Sequence, residues 1–132
     1  MATSTVENRY KDLDISLIKN PKTGDIYTLK DIEAVKRSVK LLVLTNVFER
    51  PFHPEISSAV YSTLFDNFDD SSKIRIKRSI EDVINNFEPR AKLITTIIND
   101  NPDSNALDIF IYFSVRNVPN PVSVQINLER VR

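Results

Sequence analysis

Hydrophobic and polar positions alternate most cleanly in the C-terminal third of the chain. Leu107, Ile109, Ile111, Phe113 and Val115 interleave with Asp108, Phe110, Tyr112, Ser114 and Arg116. Val122, Val124, Ile126 and Leu128 interleave with Ser123, Gln125, Asn127 and Glu129. A period of two belongs to a strand with one buried face, so both stretches are predicted strands, and residues 93–98 supply a third. The linkers Asn99-Asp100-Asn101-Pro102-Asp103 and Asn117-Val118-Pro119-Asn120-Pro121 are short and rich in turn formers, which suits antiparallel neighbours.

Upstream, the period lengthens to that of a helix. Ile32, Val35, Val39 and Leu42 recur at helical spacing, which predicts a first helix over 30–46, apolar on most sides in its second half and therefore central. Thr28 and Asp31 precede it in a capping-box-like arrangement. A short helix over 57–65 turns Val60, Leu64 and Tyr61 inward. Asp69-Asp70-Ser71-Ser72 then offers N-cap oxygens to a longer helix that buries Ile76, Ile80, Val83, Ile84 and Phe87 on one stripe. Ahead of all this, residues 10–18 alternate weakly, Asn20-Pro21-Lys22-Thr23-Gly24-Asp25 signals a turn, and Ile26-Tyr27-Thr28 is an extended piece packing on the first segment. The pattern as a whole is α+β, with N-terminal helices packed on a C-terminal antiparallel sheet of about three strands. Such a sheet leaves edges that accept a strand from another chain.

At 132 residues the chain suits one domain, read here as residues 10–132 behind a flexible N-terminal tail, 1–9. A composition 41% hydrophobic and 27% charged is that of a globular chain, and no apolar run approaches a membrane span. Cysteine is absent, which removes disulfides and thiolate metal sites. Eighteen basic and eighteen acidic residues balance to zero, which argues against a general nucleic-acid binder. The cluster Lys73, Arg75, Lys77 and Arg78 therefore reads as a solvated helix face, balanced by Glu81 and Asp82. With a single glycine, Gly24, glycine-rich phosphate and dinucleotide loops are excluded.

Catalytic equipment is sparse. The sole histidine, His53, lies between Pro51 and Pro54 in a stiff connector that also contains Arg50, with no nucleophile motif nearby. Two carboxylates suffice for glycoside hydrolysis, and Glu49, Glu55 and Glu88 are nominal candidates, none of them singled out by the sequence. The sharper feature is Glu88-Pro89-Arg90, at the junction of the long helix and the first strand. Pro89 lacks an N–H and pushes Glu88 out of the α region, so the helix stops there. Glu88 then faces the negative end of the helix dipole, which is mildly unfavourable and calls for a partner. That partner is either Arg90, in a local pair on a solvated turn, or a group on another protein.

The runs Glu49-Arg50-Pro51-Phe52-His53-Pro54-Glu55-Ile56, Leu64-Phe65-Asp66-Asn67-Phe68 and Asn86-Phe87-Glu88-Pro89-Arg90, with Tyr10-Lys11-Asp12-Leu13-Asp14 at the start and Leu128-Glu129-Arg130 at the end, resemble the small baseplate wedge subunit of contractile-tailed bacteriophages. The resemblance covers residues 10–132 and extends to the related TssE component of type VI secretion. Ser57 departs from the glycine usual after the Pro-Glu-aliphatic stretch, which raises the question of a positive-φ turn there. The resemblance implies a non-enzymatic structural subunit without cofactors, in a sixfold hetero-oligomeric assembly, bound neither to nucleic acid nor to membrane. Its implied place is the virion tail baseplate, assembled in the host cytoplasm. It implies that Glu88, Pro89 and Arg90 dock on the core bundle of the wedge scaffold subunits. It also implies that the strand of Val122, Val124, Ile126 and Leu128 pairs with arms of the tail sheath protein and templates the first sheath ring. Arg50, Pro51 and Pro54 form the structural connector. The alternatives are a peptidoglycan-cleaving tail lysozyme and the equivalent type VI secretion baseplate component.

Overall fold

The structure is a computed structural model that describes residues 10–64, 68–116 and 118–129. The tail expected over 1–9, the Phe65-Asp66-Asn67 part of one quoted run, Asn117 and the Arg130 end lie outside the described residues. Two short strands, β1 (Lys11–Leu13) and β2 (Thr28–Lys30), pair antiparallel ahead of helix α1 (Asp31–Leu44). Helices α2 (Val60–Leu64) and α3 (Asp70–Phe87) follow, and then strands β3 (Ala91–Asn101), β4 (Ala106–Val115) and β5 (Val122–Glu129). The last three form an antiparallel meander in the order β3-β4-β5, so the expected α+β architecture and three-strand C-terminal sheet are present.

One core joins helices and sheet. Val35, Val39 and Val43 of α1, and Ile76, Ile80 and Ile84 of α3, pack with Leu107, Ile109, Ile111 and Phe113 of β4. All ten of these side chains are fully removed from solvent. Each such burial is worth about 1.5–3 kcal/mol before the cost of ordering the chain. The alternation read from β4 and β5 is the alternation observed, with Val122, Val124, Ile126 and Leu128 inward and Ser123, Gln125, Asn127 and Glu129 outward. Strand β3 is different. A register shift between Leu93 and Thr95 inserts an extra residue, after which Thr96 and Ile98 face the core while Ile94 and Ile97 are left exposed. A bulge of this kind breaks the simple period of two that predicted the strand.

The start of α1 corrects the capping-box expectation. Thr28 lies in β2, the residue at the N-cap position is Lys30, and no side chain caps the helix. Asp31 instead adopts a positive φ of 48° and ties the helix to the chain entry: its N–H donates to the Tyr10 carbonyl at 2.8 Å, and its carboxylate accepts from the Tyr10 N–H at 3.4 Å. At α3 the expectation holds, because Asp69 is the N-cap and accepts from the Ser72 N–H at 2.8 Å. A hydrogen bond from Ser71 Oγ adds to this, and together they hold the Asp69 carboxyl down at about 2. The turn around Gly24 closes with the Gly24 N–H on the Asn20 carbonyl at 2.8 Å, and glycine supplies the positive φ of 73°. Ser57 is not among the positive-φ residues, so serine sits there without backbone strain.

Candidate functional site

The Glu88-Pro89-Arg90 corner is built by the end of α3. The Glu88 N–H closes the last helical turn on the Ile84 carbonyl at 2.9 Å, and Glu88 then leaves helical geometry at φ −126°, ψ 81°. Pro89 makes the turn, the Ala91 N–H returns to the Glu88 carbonyl at 3.2 Å, and β3 begins at Ala91. The sequence led us to expect two charges displayed on this corner. The structure corrects that for Glu88, whose side chain is only 2% exposed. It is turned inward because the chain itself supplies its partners.

Arg90 grips Glu88 with the fork of its guanidinium, Nε to Oε1 at 2.7 Å and Nη2 to Oε2 at 2.9 Å, while the Arg90 backbone N–H also reaches Oε1 at 3.4 Å. Ser38 of α1 adds a side-chain hydrogen bond. Burial pushes the Glu88 carboxyl up, but the bonds from Arg90 and Ser38 and the Arg90 charge outweigh it, so the group titrates below its ordinary value. The Glu88 carboxylate correspondingly raises the Arg90 pKa above its ordinary value. Arg90 extends the network further: Nη1 reaches Asp12 Oδ2 of β1 at 3.4 Å, and the guanidinium lies 5.4 Å from the centre of the Tyr10 ring. The end of α3 and the Tyr10–Asp12 segment thus meet at one cation, and α1 joins them through Ser38 on Glu88.

What the corner leaves for solvent is Pro89, which is exposed, and the outer edge of Arg90. These border a concavity of about 340 Å³ lined by Pro89, Arg90, Lys92, Ser114, Val115 and Arg116. Three cations and no carboxylate line it. The corner therefore presents a proline and a positive hollow on a rigid base.

The second predicted site, β5, has its named side chains buried: Val122, Val124, Ile126 and Leu128 are each 7% exposed or less. Of these four residues only the backbone remains accessible at the sheet edge. Among the described residues β5 pairs with β4, from Val122 to Glu129, and with no other strand, so every second residue turns its N–H and C=O away from the sheet. A groove runs beside this edge, with α1 as its other wall. One part, about 630 Å³, is lined by residues including Lys30, Ile32, Lys36, Pro121 and Val122, and the next, about 410 Å³, by residues including Leu29, Lys40, Val124 and Gln125.

The connector of Arg50, Pro51 and Pro54 is a run of consecutive turns, with the Glu49 N–H on the Asn46 carbonyl at 3.2 Å, His53 on Arg50 at 3.2 Å and Ile56 on His53 at 3.1 Å. It is pinned at its far end, where Ser58 donates through both its N–H and its hydroxyl to the Thr45 and Val43 carbonyls. Arg50, Pro51 and Pro54 are all exposed, as are Phe48 and Phe52.

The nominal carboxylates are engaged elsewhere. Glu49 accepts from the Asn46 N–H at 2.7 Å. A backbone hydrogen bond and His53, whose Nδ1 lies 3.0 Å from Glu55 Oε1, hold the Glu55 carboxyl below its ordinary value. A glycosidase acid needs the opposite shift. The sequence missed Asp12, Tyr10 and Ser38 as partners of the corner. The sequence signal for Tyr10 and Asp12 is the Tyr10-Lys11-Asp12 run, and Ser38 has none.

Residues 30–120 match the model of the family described as baseplate wedge protein gp25. The baseplate wedge protein gp25 of Enterobacteria phage T4 is 26% identical over 126 residues, covering 96% of this chain and 94% of that protein. Among solved structures, a Geobacter sulfurreducens protein provisionally described as a tail lysozyme superposes with a TM-score of 0.66 at 16% identity, over 74% of this chain and 89% of that one. A chain of the anti-feeding prophage baseplate gives 0.64 at 21% identity, over 92% and 87%. A chain of the postcontracted pyocin R2 baseplate gives 0.61 at 17%, over 76% and 98%. At these identities the solved structures establish the fold.

Proposed function

The chain belongs to the baseplate wedge protein gp25 family, and on that premise we propose that it is a structural subunit of a contractile tail baseplate, docking on the wedge scaffold through its helix-to-strand corner and starting the tail sheath along β5. Family membership over most of the chain carries this reading, and two geometric observations support its parts. The first is the corner. Glu88 fixes the Arg90 guanidinium, so the Pro89–Arg90 turn is held in one arrangement before a partner arrives, with the exposed Lys92 and Arg116 beside it. A positive hollow whose Arg90 is already fixed meets an acidic scaffold surface at a reduced ordering cost. The second is the unpaired edge of β5, a template for a strand from the tail sheath protein.

In this reading residues 10–132 act as one wedge domain behind the 1–9 tail. The assembly is sixfold and hetero-oligomeric, built in the host cytoplasm and carried in the virion tail. Arg50, Pro51 and Pro54 keep the connector between α1 and α2 stiff. The docking part is tested with Lys92→Glu and Arg116→Glu together, which leave the buried Glu88–Arg90 pair intact. The expected result is a protein with an unchanged melting temperature that no longer enters baseplates, seen by electron microscopy of particles. Normal sheathed tails carrying the double variant would remove the docking role.

A further inference from the structure

The groove beside β5 has a chemistry of its own. Its walls are unlike: on one side the polar backbone edge of β5, on the other the charged face of α1. In the stretch next to Ser123, Val124 and Gln125, α1 contributes Glu33, Lys36, Arg37 and Lys40, three cations against one carboxylate. Two of the cations have intramolecular partners, Lys36 with Glu33 at 3.5 Å and Arg37 with Asp14 at 3.1 Å. Lys40 has no ion pair among the described residues. Leu29 and Val124 supply the apolar part of the lining.

The geometry along the groove is regular. Lining residues of α1 shift along the helix, from Asp31–Lys36 opposite residues 118–123 to Glu33–Lys40 opposite residues 123–125, so α1 and β5 run alongside each other. Lys36 and Lys40 are one helical turn apart, about 6 Å along the axis. Alternate residues of an extended chain are about 6.6 Å apart and point to the same side. A strand added to β5 would therefore turn every second side chain toward α1 at nearly the spacing of the two lysines.

We infer that the occupant of this groove is an extended segment with acidic side chains at two alternate positions, which meet Lys36 and Lys40 while its backbone pairs with β5. The inference rests on the edge-strand reading of β5 and adds the chemistry that selects the strand. Cationic segments are disfavoured by the excess of Lys36, Arg37 and Lys40 over Glu33 on this face. Neutral segments gain only the backbone ladder.

The test uses the whole chain and three synthetic peptides, in which valine alternates with glutamate, glutamine or lysine. Affinity is measured by titration calorimetry, and the bound site by amide shifts in nuclear magnetic resonance spectra. The glutamate peptide is expected to shift β5 amides and to bind roughly tenfold tighter than the glutamine peptide, two exposed ion pairs' worth of preference. Lys36→Glu with Lys40→Glu should abolish that preference and favour the lysine peptide. High salt should level the glutamate and glutamine peptides. If all three peptides bind β5 equally, the acidic chemistry is wrong and the edge reading survives. If none shifts a β5 amide, both fall.

Discussion

The corner and the β5 edge are both expected from the sequence to be places where another protein attaches, and the fold builds them in opposite ways. The corner is closed: its carboxylate is buried, gripped at 2.7 and 2.9 Å, and tied to β1 through the same guanidinium. The edge is open, with its aliphatic side chains committed to the core and its outward backbone groups unpaired by any strand among the described residues. A charged motif thus serves the monomer first, and what it leaves accessible is only the surface it stiffens. A strand of alternating aliphatics, which looks wholly internal, is the element with bonds still to make. Attachment potential lies in what remains unsatisfied after folding, and residue type alone does not reveal that.

The largest expected effect breaks the closed side of this comparison. Arg90→Ala strands the Glu88 carboxylate at a 2% exposed position, and urea unfolding should show a loss of about 3–5 kcal/mol. Asp12→Ala should cost under about 1 kcal/mol, since that pair is longer, at 3.4 Å, and partly solvated. Equal losses would mean that the corner is not organised around Glu88. A smaller effect follows from protonation. The Glu88 carboxyl is held below its ordinary 4.5 in the folded chain, so its contribution is full above that pH and is lost as pH falls through the folded value. The stability gap between the native chain and Glu88→Gln should therefore be widest near neutrality and narrow below pH 4.5 in urea melts. The smallest effect concerns the open side and needs no mutation. Hydrogen exchange should find β4 amides uniformly protected, while in β5 protected and fast-exchanging amides alternate.

The strands and the long helix were legible because one face of each is buried, so their hydrophobic period is strict: Leu107 to Val115, Val122 to Leu128, and Ile76 to Ile84. β3 was legible only in part, because the bulge between Leu93 and Thr95 changes which residues face inward and sends Ile94 and Ile97 out. The start of α1 misled because Thr28 and Asp31 have the spacing of a capping box, yet pairing of Thr28 with Leu13 draws it into a strand. At the corner, both candidate partners for Glu88 were named in advance, but local spacing carries no information on burial. The contacts that settle it, to Ser38 and through Arg90 to Asp12, join segments that are distant in sequence.

That last contact, between Asp12 and Arg90, closes a separation of 78 residues. During synthesis β1 emerges first, but the cation it binds appears only after both long helices have been made. Closing so long a loop is entropically slow and waits on a preassembled target. The link from β1 to the corner is thus expected to close late in folding, after α3 has placed Arg90, while the strand pair is already held on α1 through Asp31 and Arg37. Among slowly refolding molecules, quenching or shift of the Tyr10 signal beside Arg90 would report the final step.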